Sequence, residues 1–367
     1  MKNYPQELVN GLYLSNLSET RYETDIQIKP IPDDPRPGVL DPRELEFAKR
    51  SAEHSAAADP DHVETLEEMR ADMGFPGLSI HDIAIWTDCI DLVRNGHRIR
   101  IWKYFPRFPE RKDRHALIYI HGGGWIGGNP MDYEGACKYI AELADCVVFN
   151  VDYSLAPELK YPNGFDDCFS AITYIYEHAS ELGINPEKIG IAGDSAGGNL
   201  SAACCLKDRD LGTGMIRYAA LLYPSLKFTP NGPEGFRWCI KDYTISEEQA
   251  DFIDSSISID RPRDPSSDPM KNIRDMYLKP EEDPTDSYIS PMFAVDYHNL
   301  PKTLVVTAEF DGLRIEDEYY VSMLRKDGVD ARAIRYNGMR HGFIEKTGYL
   351  PQAEELCMVI AEDLKKM

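Results

Sequence analysis

The stretch Gly193-Asp194-Ser195-Ala196-Gly197 decides the fold, because it places the pattern G-x-S-x-G at a junction between a strand and a helix. The apolar residues of Lys188–Ala192 predict a short buried strand before it, and Ala196–Lys207 predicts a helix after it. Such a sharp turn strains its middle residue, and glycines on both sides let the backbones pass closely. The stretch therefore predicts that the Ser195 hydroxyl projects above a sheet as a nucleophile, beside the N–H of Ala196.

Strands and helices alternate along the chain on both sides of this turn, from about residue 80 onward. Two strands at the start of this region can pair as a hairpin, Ser79–Trp86 and Arg98–Phe105. The later apolar runs read as strands buried on both faces, and amphipathic stretches separate them. This rhythm predicts an α/β protein with a mostly parallel central sheet and helices on both faces. The later strands are His115–Ile120, Cys146–Val151, Lys188–Ala192, Tyr218–Tyr223, Thr303–Thr307 and Ala331–Tyr336.

A glycine-rich loop, His121-Gly122-Gly123-Gly124-Trp125, directly follows the predicted strand His115–Ile120. Three consecutive glycines cost conformational entropy, so they indicate close backbone approach or unusual dihedral angles. Their N–H groups can donate hydrogen bonds to an oxygen that develops negative charge. A phosphate-binding loop would instead need G-x-x-x-x-G-K-[ST] or G-x-G-x-x-G, and neither is present. We interpret His121 as a structural residue of this loop.

A serine nucleophile needs a base, and the base needs a carboxylate that orients it. Among the nine histidines, His341 follows the predicted strand Ala331–Tyr336, at the sheet edge where Ser195 also lies. Asp311 follows Thr303–Thr307 at the same edge, and Glu309 and Glu316 are the alternative acids. The order Ser195, Asp311, His341 is the order that an α/β-hydrolase uses.

Two regions interrupt or precede the α/β pattern. Residues 1–80 are polar and are predicted as helices 43–58 and 61–73, with a break at Asp59-Pro60. Residues 227–286 are acidic, contain the cluster 264–269 and are too long for a simple loop. We expect residues 1–80 to form an N-terminal helical cap region. Residues 81–367 then form the catalytic domain, with the insertion 227–286 contributing to the cap.

Composition restricts the partners and the compartment. The 367 residues carry a net charge of −22, which argues against nucleic acid and against anionic lipid. The sequence predicts no membrane span and no secretory leader. Eight cysteines without a C-x-x-C pair indicate reduced thiols and no zinc site, so we expect a cytoplasmic protein.

Taken in this order, the motifs resemble the hormone-sensitive-lipase-like group of α/β-hydrolases, mainly its bacterial esterases. The resemblance covers the chain from about residue 80 to its end. It implies Ser195, Asp311 and His341 as the catalytic triad and the N–H groups of Gly123, Gly124 and Ala196 as the oxyanion hole. Ser154 stands where the family usually has Arg, and Gly312 where it usually has Pro. The matching stretches are 121–125, 152–158, 193–200, 223–224, 290–291, 311–314 and 341–343.

The expected function is hydrolysis of small, short-acyl carboxylic esters through an acyl-enzyme, without a metal or organic cofactor. Trp125, Tyr223 and Phe343 are candidate residues of the substrate pocket. Two alternatives stay open: an amidase or deacetylase with the same triad, and a non-catalytic small-molecule receptor, which His341 disfavours. Relatives often dimerise through an edge strand, and Ala331–Tyr336 is the candidate for a homodimer here.

Overall fold

A computed structural model describes residues 2–57, 62, 64–107, 113–258 and 271–367. Within these residues a single twisted sheet forms the centre of the molecule. Its strands are β1 (Leu17–Arg21), β2 (Thr24–Lys29), β3 (Ile85–Arg94), β4 (His97–Pro106), β5 (Arg114–Ile120), β6 (Val147–Asp152), β7 (Ile184–Asp194), β8 (Tyr218–Leu222), β9 (Lys302–Phe310) and β10 (Ala331–Arg340). They lie in the order β1-β2-β10-β9-β8-β7-β5-β6-β4-β3.

The middle of the sheet is parallel, as the buried apolar runs predict. Strands β10, β9, β8, β7, β5 and β6 pair in parallel, and every residue of β8 is buried. The hairpin β3–β4 closes one end through antiparallel pairs. Because the central strands run in one direction, their carboxyl ends meet at one edge of the sheet. The candidate site residues follow β5, β7, β9 and β10 at that edge.

Helices cover both faces of the sheet, which confirms the predicted α/β-hydrolase architecture. Helices α5, α7 and α10 contribute buried side chains to the core of one face, and α4 and α11 to the core of the other. The helices are α1 (Gln6–Tyr13), α2 (Pro42–Ala57), α3 (Leu66–Ala71), α4 (Glu134–Ala144), α5 (Asn163–Glu177), α6 (Ala179–Leu182), α7 (Ala196–Leu211), α8 (Ala250–Ile257), α9 (Lys271–Tyr277), α10 (Arg314–Lys326) and α11 (Pro351–Lys365). None in the described ranges is long and apolar enough to cross a membrane.

The N-terminal region differs from the expectation of a purely helical cap. Residues 17–29 form the hairpin β1–β2, and β2 pairs in parallel with β10, with Ile26 opposite Ala333. Ile26 and Ile28 alternate with polar residues and are buried, and Lys29 forms a buried ion pair with Glu355 at 2.7 Å. The prediction of Ala331–Tyr336 as an edge strand for dimerisation is therefore wrong, because β2 occupies that edge.

Two further boundaries differ from the sequence prediction. The strand predicted at Ser79–Trp86 begins only at Ile85 and runs to Arg94, although its hairpin partner is the expected one. The helix predicted over 61–73 is confined to α3, where Thr65 forms a capping box with Glu68. The predicted break at Asp59-Pro60 and the cluster 264–269 lie outside the described residues.

Candidate active site

The predicted nucleophile sits on a sharp turn between β7 and α7. Ser195 has φ 53° and ψ −119°, in the positive-φ region that non-glycine residues rarely adopt. A Cβ on Gly193 would lie 2.3 Å from the carbonyl oxygen of Gly197, and a Cβ on Gly197 would lie 2.0 Å from that of Ile120. Only glycine therefore fits on either side of Ser195, and the turn holds its hydroxyl above the sheet edge.

The structure brings Ser195, His341 and Asp311 together in one hydrogen-bonded chain. The Ser195 Oγ lies 2.8 Å from His341 Nε2, and His341 Nδ1 lies 2.6 Å from Asp311 Oδ2. Asp311 is fully buried, and its Oδ1 accepts a hydrogen bond from the Leu313 N–H at 3.0 Å. Nδ1 therefore carries the proton toward Asp311, and Nε2 is left to accept the serine proton.

The alternative acids lie elsewhere and hold other partners. Glu309 Oε2 accepts a hydrogen bond from the Gly338 N–H at 2.7 Å. Glu316 accepts one from the Leu226 N–H at 2.8 Å and pairs with Lys227 at 3.2 Å. Of the three candidate acids, only Asp311 contacts the imidazole.

Opposing effects set the basicity of His341. Burial lowers the pKa of the imidazole, because it disfavours the charged form. The charge of Asp311 and its hydrogen bond raise the pKa, with smaller contributions from Asp194 and Glu345. The contributions that raise the pKa together exceed the effect of burial, so the pKa of His341 lies above the ordinary value of 6.5. His341 is thus held as a stronger base than a free histidine.

The glycine-rich loop after β5 presents free amide groups beside Ser195. Gly123 has φ 115°, and a Cβ there would lie 2.1 Å from the Gly127 carbonyl oxygen. The Gly122 N–H donates to Asp194 at 2.9 Å, whereas those of Gly123 and Gly124 find no acceptor in the described part of the chain. Unpaired amide groups of this kind are rare in proteins, and these two line a cavity.

His121 holds this loop, as the sequence suggests. Its ring is fully buried, its Nδ1 lies 2.7 Å from the Gly122 carbonyl oxygen, and it stacks on Tyr153 with 4.4 Å between ring centroids. Burial lowers the pKa of His121 to about 4. The ring is neutral near pH 7 and makes no contact with Ser195 or Asp311.

A cavity of about 320 Å³ opens over Ser195. Both regions expected to form a cap contribute to it, through Met73 and Gly74 on one side and Ile273 of α9 on the other. Its other lining residues are Gly123, Gly124, Trp125, Gly128, Tyr133, Asp194, Ser195, Ser225, Leu313, His341, Gly342 and Glu345. The walls are mostly apolar, apart from the polar groups beside the serine.

The three candidate pocket residues have different positions. Trp125 lines the cavity and stacks on Tyr277, with ring centroids 5.0 Å apart. Tyr223 and Phe343 are fully buried and are not among its lining residues, so their place in the substrate pocket stays a prediction. Tyr223 packs edge-on against His341 at 5.0 Å and against Phe343 at 5.4 Å. Tyr223 thus contacts the imidazole directly, and Phe343 contacts Tyr223.

A pair of carboxyl groups that line the cavity was not predicted from the sequence. Asp194 accepts hydrogen bonds from the Gly122 N–H at 2.9 Å, from the Tyr119 hydroxyl at 3.1 Å and from the Tyr133 hydroxyl at 2.9 Å. The same Tyr133 oxygen lies 2.9 Å from Glu345 Oε1. Asp194 occupies a variable position of G-x-S-x-G, so the motif gives no signal for its role.

A fold with parallel strands, a strained strand-to-helix serine and a Ser–His–Asp chain defines an α/β-hydrolase. The family model described as "alpha/beta hydrolase fold" matches residues 117–345, and the chain belongs to that family.

Three similar proteins agree with this assignment. An arylesterase of Saccharolobus solfataricus is 32% identical over 260 residues, 70% of this chain and 77% of the relative. The carboxylic ester hydrolase LipN of Mycobacterium tuberculosis is 31% identical over 298 residues, 78% of this chain and 72% of the relative. A solved hyperthermophilic esterase from Pyrobaculum calidifontis superposes with a TM-score of 0.74 at 31% identity, covering 90% of this chain and 99% of its own. The predicted membership of the hormone-sensitive-lipase-like group is confirmed.

Proposed function

We propose that this protein is a serine carboxylesterase that hydrolyses small, short-acyl esters. The observation that carries the proposal is the chain from Ser195 Oγ to His341 Nε2 at 2.8 Å and from His341 Nδ1 to Asp311 Oδ2 at 2.6 Å, below two free amide groups. The esterase names of relatives at 31% and 32% identity support the same activity.

The proposed mechanism has two acyl-transfer steps. His341 takes the proton of Ser195 as its oxygen attacks the ester carbonyl carbon, and the carbonyl oxygen becomes negative. The N–H groups of Gly123, Gly124 and Ala196 stabilise that oxygen. His341 then gives its proton to the leaving alcohol, and water activated by the same ring releases the acid.

The size and lining of the cavity support short substrates. A volume of about 320 Å³ is at the small end of ligand pockets, and Met73, Trp125 and Ile273 give it apolar walls. The cavity suits an acetyl or butyryl ester and has little room for a long fatty acyl chain. Lengthening the acyl chain should therefore lower kcat/KM.

The test is hydrolysis of 4-nitrophenyl acetate, butyrate, octanoate and palmitate by the wild type, Ser195→Ala and Ser180→Ala. Ser180 is exposed on α6 and serves as the matched control. We expect turnover to be fastest on the two short esters and to fall by at least about 10⁴-fold in Ser195→Ala only. Equal activity of Ser195→Ala and wild type would refute the proposed nucleophile.

Two further measurements separate the remaining outcomes. A 4-nitrophenyl phosphonate should label Ser195 alone, which mass spectrometry of the intact and digested protein detects. Hydrolysis of 4-nitroacetanilide but of none of the esters would contradict an esterase and favour an amidase. Labelling at Ser195 without turnover of either substrate class would refute a general short-ester activity.

We also propose that the protein works in a reducing compartment, the cytoplasm. All eight cysteines are free thiols, and six of them are buried. Burial raises the pKa of Cys137 and Cys168, which keeps these thiols protonated and unreactive. Cell fractionation with an epitope-tagged chain tests this proposal, and recovery with secreted proteins would contradict it.

A further inference from the structure

The cavity wall carries acidic groups, and His341 is the only basic side chain among its described lining residues. Asp194 and Glu345 line the cavity, and Asp132 lies near enough to act on the charge of Glu345. No lysine or arginine of the described residues lines it. The nearest cation in sequence, Lys346, is held by both oxygens of Glu44 at 2.9 Å. The mechanism assigned to the triad uses none of these carboxyl groups directly.

Tyr133 joins two of these carboxyl groups but cannot satisfy both. Its single hydroxyl proton faces Asp194 Oδ2 and Glu345 Oε1, each at 2.9 Å. Asp194 uses both of its oxygens, because Oδ1 also accepts from Gly122 and Tyr119. Glu345 makes no other hydrogen bond or ion pair with the described residues, so its Oε2 is free at the cavity wall.

A carboxyl oxygen that faces a cavity without a protein partner is a site for a donor or a cation, because the walls around it are mostly apolar. Glu345 also lies on the leaving-group side of the reaction. A Cβ on Gly342 would lie 3.7 Å from Glu345 Oε1, which sets the carboxyl group beside His341. The alcohol that leaves takes its proton from His341, so it occupies this part of the cavity.

We propose that Glu345 is a specificity-determining residue that selects esters whose leaving alcohol carries a cationic group. The inference rests on the proposed esterase activity and names its substrate class. The cation approaches Glu345 Oε2 and offsets the charge that Asp194, Glu345 and Asp132 place around it. Tyr133 then donates its proton to either carboxylate without leaving two uncompensated negative groups.

The pH dependence supports the same view. Burial raises the pKa of Glu345 to about 7, together with the charge of Asp194 and, more weakly, of Asp132. The Tyr133 hydrogen bond and Lys346 oppose this rise, and His341 is the remaining ionisable group at this wall. Selection for a cation should therefore strengthen as pH rises from about 6 to about 8, while Glu345 ionises.

The experiment compares acetylcholine with 3,3-dimethylbutyl acetate, in which a carbon replaces the charged nitrogen. Acetate release gives kcat/KM for each, and the readout is their ratio. The charge of choline does not titrate, and the titration of His341 cancels because both esters need the same base. The variants are Glu345→Gln, whose amide oxygen still accepts a hydrogen bond from Tyr133, and Glu281→Gln, an exposed control with the same change of net charge.

We expect the wild type to prefer acetylcholine by about tenfold near pH 8, the effect of one partly desolvated charge pair, and less near pH 6. Glu345→Gln should reduce the ratio to about 1 at both pH values, and Glu281→Gln should keep the wild-type ratio. A wild-type ratio near 1, or a preference that persists in Glu345→Gln, would overturn the inference while ester hydrolysis stands. A wild type that hydrolyses neither these two esters nor 4-nitrophenyl acetate would instead overturn the proposed function, and the inference with it.

Discussion

Replacing Asp194 by alanine or by asparagine separates the hydrogen bonds of this residue from its charge. The carboxylate is almost fully buried and accepts three hydrogen bonds, from Gly122, Tyr119 and Tyr133. In Asp194→Ala the Tyr133 hydroxyl can turn to Glu345, but the Gly122 N–H and the Tyr119 hydroxyl lose their acceptor. Each buried donor left unpaired costs about 1–3 kcal/mol.

Two such donors give a loss of unfolding free energy of about 2 to 4 kcal/mol for Asp194→Ala, after allowance for relaxation of the site. Asp194→Asn keeps an oxygen for Gly122 and Tyr119, and its amide group can donate to Tyr133, whose proton then serves Glu345. We therefore expect Asn to cost less than about 1 kcal/mol. Urea unfolding, followed by far-UV circular dichroism, measures both values at constant m.

The same two variants test how the charge of Asp194 affects the pKa of His341. Asp194 raises the pKa of His341, so its removal should lower that pKa. His341 acts in its neutral form, so kcat/KM rises with pH through this pKa. In the wild type the rise is centred above the ordinary 6.5, and in Asp194→Asn it should move to lower pH. Equal destabilisation by Ala and Asn, together with an unshifted pH profile, would refute this account of Asp194.

Three further predictions concern the orienting acid, the glycine loop and the β3–β4 hairpin. Asp311→Asn should lower kcat by about 10⁴-fold with little change in KM, because the imidazole then prefers the wrong tautomer; steady-state kinetics on 4-nitrophenyl butyrate would contradict this with a loss under about tenfold. Gly123→Ala should lower kcat/KM by more than about 100-fold, whereas Gly124→Ala, whose Cβ meets nothing closer than 3.8 Å, should be milder in the same assay. Arg94→Ala, which removes a 2.7 Å ion pair with the buried Asp167, should lower the unfolding free energy by about 2 kcal/mol; an unchanged urea midpoint would count against it.

The fold and the triad could be predicted from sequence because their signals are local. A strand, a strained turn and a helix are encoded within about twenty consecutive residues around Ser195. His341 and Asp311 follow strands whose direction is fixed by the parallel sheet, so their chain positions determine the edge at which they lie. The order of three such elements was enough to infer one site.

The N-terminal hairpin shows where local signals fail. Thr24–Lys29 alternates like a strand, with Ile26 and Ile28 buried, but six residues of this kind also suit a loop. The partner of β2 is β10, about three hundred residues away in sequence, and its buried Lys29 is stabilised by Glu355 of α11. No local pattern near residue 24 predicts that pairing, so Ala331–Tyr336 was wrongly predicted to be an edge strand.

Ser154, which stands where the resemblance leads one to expect an arginine, contacts the buried carboxylate of Asp167. The Ser154 N–H donates to Asp167 Oδ2 at 3.0 Å, and its hydroxyl also contacts that oxygen. The other oxygen receives Arg94 Nε at 2.7 Å and His97 Nε2 at 2.9 Å, both from the β3–β4 hairpin. A buried carboxylate requires compensation, and in this chain the arginine that supplies it comes from the hairpin. The charge of Asp167 is therefore compensated although residue 154 is a serine, because a basic side chain from another element of the fold reaches the carboxylate.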